Sequence, residues 1–466
     1  MNKIKQTLKN LFIERQNEYF AQDIALKKIY TYKDFINLAL NYRQYLQEKG
    51  LSKSGTVCYT AQNSIYSLAL YIAVLLLNAK IALIDPLKGE EESKEIIRKI
   101  SPCTIVTLEE LSNIQASWQE YDKYIFDNID FRAPFLITFT SGSTGEAKGV
   151  IHSFENLFLS AFDFGKLFNL NEKNIFFHNF PMAYMAGVLN TFIKPLIFGS
   201  KIIVAPRLCA MSAMRFWDDI IANNINTFWI NPTFVSMLLK LDRSQKGVEY
   251  AKNNKITAFC GTAPLDKNIK QKFEQKYGFK LYESYGLSET LFLTTNYPGS
   301  DAIDSPGIIL DSVDLKIDDN NEISVKAPWM FLGYLGKDDS FAGSYFKTGD
   351  LGKIAIDDLQ AKRLFITGRS KDIIIKGGVN ISPKKIGDIV SNYCGDFTII
   401  GLKDVTLGEK IACFYTGNLD EKNINSIILA KLGKDYLIDV FYKLNEIPKN
   451  TNGKTDKIKL KKEYEK

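Results

Sequence analysis

The sequence predicts an α/β protein with a large N-terminal domain and a small C-terminal one. Apolar, strand-like runs at residues 55–60 and 80–84 flank an apolar helical segment at 64–78. Alternation of this kind is typical of β-α-β units with largely parallel strands. A chain of 466 residues is also long for a single core, so more than one domain is expected.

The alternation occurs twice along the chain, which predicts two β-α-β sheet subdomains. The first includes a helical pattern at 31–50, which ends at Gly50, a charged helix at 90–100 and a strand at 104–107. The second has a strand, a helix, a strand and a helix, predicted at 201–205, 212–223, 227–230 and 233–241.

The pattern of predicted elements changes in the last third of the chain. Short alternating strands separated by Asp, Asn and Gly fill residues 303–366, which predicts a distorted antiparallel β-barrel. The remainder resembles a small α+β unit, with strands at 373–376, 397–402 and 410–416 and helices at 383–392 and 423–432. We therefore expect an N-terminal domain of residues 1–370, hinge-joined to a C-terminal domain of residues 371–466.

Composition excludes several classes of protein. The charged fraction of 24% and net charge of +6 are ordinary, the basic residues are scattered, and no nucleic acid partner is expected. The six cysteines are far apart and there are only two histidines, which argues against a zinc site and for a reducing compartment. The first ten residues lack a signal-peptide core, and the apolar stretch 65–77 is too short to span a bilayer. We expect a cytoplasmic protein without a membrane span.

A loop of small residues follows the apolar run 135–139. Backbone N–H groups, hydroxyls and a lysine in such a loop can surround phosphate oxygens. The spacing differs from that of the common phosphate loop, because Lys148 precedes a glycine and does not directly follow one. A flexible surface loop explains the pattern as well. The candidate phosphate ligands are Thr140, Ser141, Gly142, Ser143, Thr144, Gly145 and Lys148.

Four segments further along fit the same chemistry, and each also has an ordinary structural explanation. Ser288 and Glu289, after Tyr285 and Gly286, can cap a helix N-terminus. The run 347–350, ending in Asp350, fits a common Thr-Gly-Asp turn, and Arg369 a surface salt bridge. Lys454 follows an Asn-Gly pair and fits the tip of a hairpin.

Together the five motifs occur in the order and rough spacing of the adenylate-forming superfamily, which the chain resembles from about residue 30 to Lys454. That superfamily holds acyl- and aryl-CoA synthetases, adenylation domains of peptide synthetases and luciferase. The resemblance implies an ATP- and Mg²⁺-dependent ligase that converts a carboxylic acid into an acyl-AMP, releases pyrophosphate and passes the acyl group to a thiol. Coenzyme A is the favoured acceptor.

The resemblance also implies roles for the motif residues. The loop would hold the β- and γ-phosphates, Tyr285 would stack on adenine, Ser288 would meet the α-phosphate, and Glu289 would bind Mg²⁺. Asp350 and Arg369 would hold the ribose, Lys371 would be the hinge, and Lys454 would be the catalytic lysine. A strand-to-helix turn beneath the adenine is implied for Gly261, Thr262, Ala263 and Pro264, although Pro264 also fits a proline-initiated helix.

The acyl and thiol sites are less specified. The segment 176–187 resembles the family's aromatic gate, with Tyr184 where many CoA ligases have His, and with Gly187 at its end. It contains no acidic residue, which argues against a free α-amino acid substrate. Gly378 resembles part of the pantetheine tunnel. The chain departs from the family at Ala147, usually Pro, and at Lys385 and Gly387, where acidic residues are usual.

Three alternatives remain at this point. The enzyme could load the phosphopantetheine of a separate carrier protein instead of coenzyme A. The chain could be a non-catalytic nucleotide- or acyl-binding protein on the same fold, or an oxygenase of the luciferase type. Neither His152 nor His178 has a partner that the sequence identifies, so a structural role is expected for both. Trp229, Pro232 and Phe234 could wall the acyl pocket, although such aromatic residues are more often core.

Overall fold

The structure is a computed structural model that describes residues 2–115, 117–141, 147–300, 302–337, 344–357, 360–450 and 454–465. Of Ser141 and Ala147 it describes only the backbone. All statements below concern these residues.

The strands alternate with helices in the first two thirds of the chain and follow one another directly in the last third. In chain order they are β1 Tyr19–Asp23, β2 Lys28–Thr31, β3 Thr56–Thr60, β4 Lys80–Ile84, β5 Thr104–Val106, β6 Pro134–Ser141, β7 Ala147–Ser153, β8 Ile175–His178, β9 Lys201–Val204, β10 Thr227–Ile230, β11 Thr257–Cys260, β12 Leu281–Leu287, β13 Leu291–Thr295, β14 Ile308–Ile309, β15 Asp314–Ile317, β16 Glu322–Lys326, β17 Gly333–Tyr334, β18 Phe346–Ile356, β19 Lys362–Arg369, β20 Ile374–Lys376, β21 Val379–Ile381, β22 Phe397–Asp404, β23 Gly408–Tyr415 and β24 Val440–Lys443.

The α-helices connect the parallel strands. They are α1 Asn2–Lys9, α2 Tyr32–Glu48, α3 Ile65–Leu76, α4 Glu90–Ile100, α5 Leu108–Asn113, α6 Phe154–Lys166, α7 Met185–Val188, α8 Lys194–Ile197, α9 Ala210–Ala222, α10 Pro232–Leu241, α11 Lys246–Asn253, α12 Lys267–Tyr277, α13 Pro383–Val390, α14 Glu421–Leu432 and α15 Lys457–Tyr464. Helical turns of other pitch lie at Asn10–Glu14, Leu189–Ile193, Ser370–Asp372 and Lys434–Tyr436.

The largest sheet is parallel in its middle, antiparallel over several strands toward one end, and closed at the other end by the antiparallel pair β1–β2. Its order is β15-β16-β18-β19-β14-β13-β12-β11-β10-β8-β9-β1-β2. The strands β9, β8, β10, β11 and β12 run parallel. From β12 to β15 every neighbouring pair is antiparallel. This antiparallel part contains the segment for which the sequence predicts the barrel-like piece.

A second sheet, in the order β17-β7-β6-β4-β3-β5, is built from the first β-α-β unit. Strands β3 to β6 are parallel, and β7 and β17 extend the sheet in antiparallel fashion. Apolar residues of β3, β4 and β6 belong to the largest core cluster among the described residues. The same cluster includes residues of the large sheet. The two predicted sheet subdomains are therefore present and share one core.

The C-terminal residues form a third sheet, β21-β20-β23-β22, with β24 beside β23. It has apolar clusters of its own, with Ile374, Ile411 and Ile424 in one and Leu402, Phe414 and Leu460 in the other. A separate core of this kind is what a distinct folding unit requires.

Local sequence explains several element boundaries. Thr31 and Asp34 form a capping box that begins α2. Asn231 caps α10, in which Pro232 occupies the first turn. Within the described part of the chain, the helices are all too short or too polar to cross a bilayer.

Candidate active site

Asp350 lies at the centre of the predicted site. The carboxylate is 2% exposed. Its Oδ2 accepts a hydrogen bond from the Tyr285 hydroxyl at 2.8 Å, and its Oδ1 accepts one from Arg369 Nε at 2.6 Å. Asp350 is also opposite Arg369 in the β18–β19 pair. The two residues that the sequence assigns to one ribose site therefore lie side by side.

The alternative explanation of residues 348–350 as an ordinary turn is wrong. These residues lie inside β18, where Lys347 pairs with Ser324 and Leu351 with Glu322. Three residues of β18 thus face one residue of β16, which is a bulge. Gly349 has φ +72°, a conformation that suits glycine. The bulge turns Asp350 toward Tyr285.

Tyr285 is held by an irregularity in β12. The register with β13 shifts between Tyr285 and Gly286. A Cβ at Gly286 would lie 1.8 Å from the carbonyl oxygen of Leu291, so only glycine fits there. Burial, followed by the charge of Asp350, raises the pKa of Tyr285 well above its usual value. The phenol therefore stays protonated and donates to Asp350.

Ser288 and Glu289 lie in the turn that joins β12 to β13. The alternative that they cap a helix is wrong, because strands flank them on both sides. Glu289 Oε1 accepts a hydrogen bond from the Tyr334 hydroxyl at 2.9 Å, and its backbone oxygen accepts one from Phe331 N at 2.9 Å. The carboxylate is thus fixed on one side and has further lone pairs for a ligand.

His152 contacts the turn that holds Ser288 and Glu289. Its Nε2 donates to the Ser288 backbone oxygen at 2.6 Å. The ring is fully buried, and burial lowers its pKa to about 4. His152 is therefore a neutral structural histidine, as the sequence predicts. His178 is buried too, with Nδ1 at 3.1 Å from the backbone oxygen of Thr191.

The predicted phosphate loop joins β6 to β7. A strand precedes the loop, as expected, and the described residues on either side of it pair with each other, Thr140 with Lys148 and Ser141 with Ala147. Gly142, Ser143, Thr144 and Gly145 lie outside the described residues. The Lys148 Nζ is 5.4 Å from the centre of the Tyr334 ring. Because Tyr334 pairs with Val150 and bonds Glu289, the loop strand and the Glu289 turn meet at Tyr334.

Residues 261–264 connect β11 to α12, beside Tyr285. A Cβ at Gly261 would lie 3.2 Å from Ser284 Oγ. Thr262 has φ +73°, which is uncommon for a residue that is not glycine and is concentrated at functional sites. The alternative that Pro264 starts a helix is wrong, because α12 starts at Lys267, after an Asp266 cap. Ala263 and Pro264 thus lie in a strand-to-helix loop, as predicted.

Lys454 and Lys371 reach the same centre from the C-terminal part of the chain. Lys454 is exposed to solvent, but desolvation by nearby protein atoms lowers its pKa. The positive charges of Arg369 and Lys371 lower this pKa as well, whereas the negative charge of Asp350 raises it. Lys371, in the helical turn Ser370–Asp372, has a lowered pKa for similar reasons. Arg369 contacts the buried Asp350 carboxylate, and Lys371 and Lys454 interact with its charge, so positive charge is concentrated here in a way that suits an anion.

The hairpin expected at Lys454 fits the flanking residues. Lys449 and Thr455 form an isolated antiparallel bridge, and Asn450 N donates to the Lys454 oxygen at 2.7 Å. Asn452 and Gly453 lie outside the described residues.

Tyr184 belongs to a second cluster. Its hydroxyl donates to Asp85 Oδ2 at 2.5 Å, and Arg207 Nη1 lies 3.1 Å from Asp85 Oδ1. Asp85 is 2% exposed and follows β4 directly. Gly187 lies three residues further on, where a Cβ would be 2.2 Å from the Pro181 oxygen. An acid thus lies near the gate, although none occurs within 176–187.

Gly378 lies at the tip of the β20–β21 hairpin. Gly377 and Gly378 have φ +58° and +81°, which a two-residue turn requires. The chain just beyond this hairpin contacts β19, since Ser382 Oγ donates to the Thr367 oxygen at 3.0 Å. The hairpin is joined to the site through β19, which carries Arg369.

Four contributors were missed from sequence: Tyr334, His152 as a partner of the turn, Asp85 and Arg207. Asp85 had a usable signal, because it ends an apolar run at the carboxyl end of a predicted parallel strand, where ligands bind in open α/β sheets. Tyr334 had none. Trp229 and Phe234 are buried, and their role in the acyl pocket stays a prediction.

Comparison with known proteins gives a consistent result. A family model described as AMP-binding enzyme matches residues 13–335. The 2-succinylbenzoate–CoA ligase of Listeria monocytogenes is 27% identical over 353 residues, which cover 73% of each chain. The sulfoacetate–CoA ligase of Cupriavidus necator is 26% identical, over 70% of this chain and 67% of the relative.

Solved structures share the fold. The o-succinylbenzoate coenzyme A synthetase of Bacillus subtilis, in complex with ATP and magnesium ion, superposes with a TM-score of 0.81. It is 19% identical in sequence, and the match covers 96% of this chain and 98% of that one. The predicted α/β fold class, with two sheet subdomains and a small C-terminal unit, is confirmed. Where the sequence predicts a distorted β-barrel, the described strands continue the large sheet without closing into a barrel.

Proposed function

The chain belongs to the AMP-binding enzyme family, and we propose that it is an ATP- and Mg²⁺-dependent ligase that activates a carboxylic acid as acyl-AMP and transfers the acyl group to coenzyme A. The observation that carries the proposal is the Tyr285–Asp350–Arg369 cluster with Lys371 and Lys454 beside it. A carboxylate with free lone pairs accepts from a ribose diol, and the cations suit the adjoining phosphates.

The chemistry needs no side-chain nucleophile. A carboxylate oxygen of the acid attacks the α-phosphorus, the bond to the β-phosphate oxygen breaks, and pyrophosphate leaves. A thiol then attacks the acyl carbon, and AMP leaves with the oxygen that joined the two groups. The enzyme has to hold the two reactants in line and offset charge as it develops. Lys454 supplies such charge beside the reacting phosphate.

The residues around Glu289 fit a magnesium ion. Mg²⁺ prefers oxygen ligands and is commonly held by one or two carboxylates together with substrate phosphates. Tyr334 orients Glu289 by donating to one oxygen, which leaves the other for the metal. The described residues contain no group of three or more acidic, His or Cys side chains that would form a closed site. Bound Mg²⁺ would neutralise charge on the departing pyrophosphate.

The acceptor is proposed to be coenzyme A because relatives along most of the chain are CoA ligases. The second candidate is a carrier-protein phosphopantetheine, which has the same thiol. We also propose that residues 371–466 act as a mobile domain that turns about Lys371 between the two half-reactions. In the part of the chain that the structure describes, polar contacts across this boundary are few, such as Asn268 with Asn392 at 3.2 Å, which supports a movable arrangement.

The experiment is acid-dependent exchange of labelled pyrophosphate into ATP, run over a panel of carboxylic acids. We expect exchange with at least one acid, and about 100-fold slower exchange in Lys454→Ala, in keeping with the loss of one charge-stabilising group. Lys459→Ala, an exposed lysine in the same segment, is the matched control and should exchange normally. Absence of exchange with every acid would contradict the proposal and favour a binding protein.

Thioester formation separates the two acceptors. Free coenzyme A and a phosphopantetheinylated carrier protein are compared at equal thiol concentration, with the acid that supports exchange. Faster acylation of coenzyme A supports the proposal, and acylation of the carrier alone would replace it with the second candidate.

A further inference from the structure

Lys194, the first residue of α8, is fully buried. Within the described residues its Nζ has no hydrogen-bond partner. Aromatic rings surround it instead: the Nζ lies 3.5 Å from the ring centre of Phe164, 4.1 Å from Phe292, 4.4 Å from Trp229 and 5.4 Å from Phe259. We call these four rings and Lys194 the lysine cage.

Aromatic faces attract a cation but accept no ordinary hydrogen bonds. A buried ammonium that lacks hydrogen-bond partners is strongly disfavoured, and burial accordingly lowers the pKa of Lys194 well below its usual value. The donors of this side chain therefore have no acceptor among the described residues. Such a group is unusual enough to require an explanation.

Lys270 on α12, the other fully buried lysine among the described residues, shows how the fold holds a structural lysine. Lys270 donates to Glu283 Oε1 at 3.0 Å and to the Ala302 oxygen at 2.8 Å. Both lysines are 0% exposed. Lys270 has a carboxylate and a carbonyl, whereas Lys194 has only rings.

The lysine cage adjoins the candidate active site. Phe292 pairs with Gly286, directly after Tyr285. Trp229 lies 3.3 Å from the position that a Cβ of Gly261 would occupy. The cage is therefore behind the hairpin and the loop that carry the proposed nucleotide ligands.

The cage is also joined to the predicted acyl gate. Tyr184 directly precedes a nearly continuous helical stretch, formed by Met185–Val188, Leu189–Ile193 and Lys194–Ile197, and Lys194 lies in its last part. Thr191 Oγ1 donates to the Gly187 oxygen at 2.9 Å within this stretch. Gate and cage thus lie at opposite ends of one structural element.

We propose that Lys194 binds a second anionic group, a carboxylate or sulfonate, at the far end of the acid substrate, with the acyl part packed against the rings of the cage. This inference rests on the proposed function, since it assigns the substrate class of that reaction. An anion supplies the acceptors that Lys194 lacks, and a charged pair in apolar surroundings gives strong discrimination. The acids 2-succinylbenzoate and sulfoacetate, which name the two relatives above, each have a second acidic group.

The test uses pairs of acids that differ only in the remote group: 2-succinylbenzoate with 4-oxo-4-phenylbutanoate, succinate with butyrate, and malonate with propionate. For the wild-type protein we expect kcat/KM in pyrophosphate exchange to favour the two-anion member of at least one pair by about 30-fold, as for one charge-assisted hydrogen bond. Lys194→Met should remove that preference: we expect kcat/KM for the two-anion acid to fall and kcat/KM for the one-anion acid to change less than about threefold. A wild-type preference for the one-anion members throughout would overturn the inference.

Lys270→Met is the matched control, because it removes the other buried lysine. It should lower the melting temperature, since Glu283 loses its partner, and keep the preference between paired acids. Lys194→Met should melt no lower than the wild type, because no described hydrogen bond is lost. A retained preference in folded Lys194→Met would overturn the inference.

Calorimetric binding of the same acid pairs, without ATP, separates this inference from the proposed function. Lack of exchange with every acid contradicts the ligase, while tighter binding of the two-anion member, lost in Lys194→Met, supports the cage assignment independently. Equal binding of both members by the wild type contradicts the assignment even if the ligase reaction is observed.

Discussion

The guanidinium Nε of Arg369 lies 2.6 Å from Oδ1 of Asp350, a carboxylate that is 2% exposed. Tyr285 occupies the other carboxylate oxygen from a neighbouring part of the same sheet. A buried carboxylate with two oriented donors is held in one position before any ligand arrives. Preorganisation of this kind lowers the entropy cost of binding.

Replacement of Asp350 by Asn tests this cluster. Asp350→Asn keeps the shape but removes the charge and one acceptor, so we expect the KM for ATP in pyrophosphate exchange to rise at least about tenfold. The control is Asp314→Asn on β15, where Tyr345 donates to a surface carboxylate in a similar way. An unchanged KM for ATP in Asp350→Asn would remove the ribose assignment.

Tyr334 provides a test of the metal site. Tyr334→Phe deletes the hydroxyl that orients Glu289 and nothing else, and we expect the Mg²⁺ concentration for half-maximal exchange to rise several-fold, since partners of metal ligands tune affinity. High Mg²⁺ should restore the rate. Tyr345→Phe is the control. If Tyr334→Phe has the same Mg²⁺ dependence as the wild type, Glu289 is not the metal ligand that Tyr334 orients.

Lys371 tests domain rotation. Lys371→Pro fixes φ at this position, and we expect it to spare acyl-AMP formation while slowing thioester formation strongly. Lys371→Ala is the matched variant, because it removes the same charge near Lys454 but keeps the backbone free. Single-turnover assays of the two half-reactions provide the measurement. If Lys371→Pro and Lys371→Ala have equal effects, or if Lys371→Pro slows both half-reactions equally, rotation at this position is not required.

The buried histidines predict a pH dependence of stability. The pKa of His152 falls from 6.5 to about 4 on burial, so below pH 6.5 the unfolded chain binds a proton that the folded chain does not. The stabilisation is complete above pH 6.5 and is lost as the pH falls toward 4, by about 3 kcal/mol. We expect His152→Gln to flatten the free energy of unfolding against pH in this window.

His178→Gln is the control for that experiment. His178 has the same lowered pKa, about 4, but contacts Thr191 rather than Ser288. Both variants should flatten the stability curve, and only His152→Gln should also slow pyrophosphate exchange. An unchanged pH slope in both would show that these rings are protonated in the folded protein.

The sequence predicted more of the fold than of the site. Periodicity located β3, β4, α3 and α4 closely, because each has an apolar pattern that matches its burial. Motifs identified Tyr285, Asp350 and Arg369, because the family resemblance fixes residue types. The sequence could not predict the bulge at residues 348–350, because the bulge depends on the register between β18 and β16.

Long-range partners were also beyond the sequence. Tyr334 and His152 meet Glu289 and Ser288 across 45 and 136 residues of chain. Lys194 shows no motif at all, and its importance follows only from the four rings that surround it in three dimensions. The domain boundary, the hinge and the individual roles of the site residues stay predictions.

The most direct test of the central claim is the fate of a carboxylate oxygen. The acid that supports exchange is labelled with ¹⁸O in its carboxyl group, and the products are analysed by mass spectrometry after thioester formation. Attack of the carboxylate on the α-phosphorus predicts one ¹⁸O atom in AMP and none in pyrophosphate. Label in inorganic phosphate with formation of ADP, or AMP without label, would contradict the account.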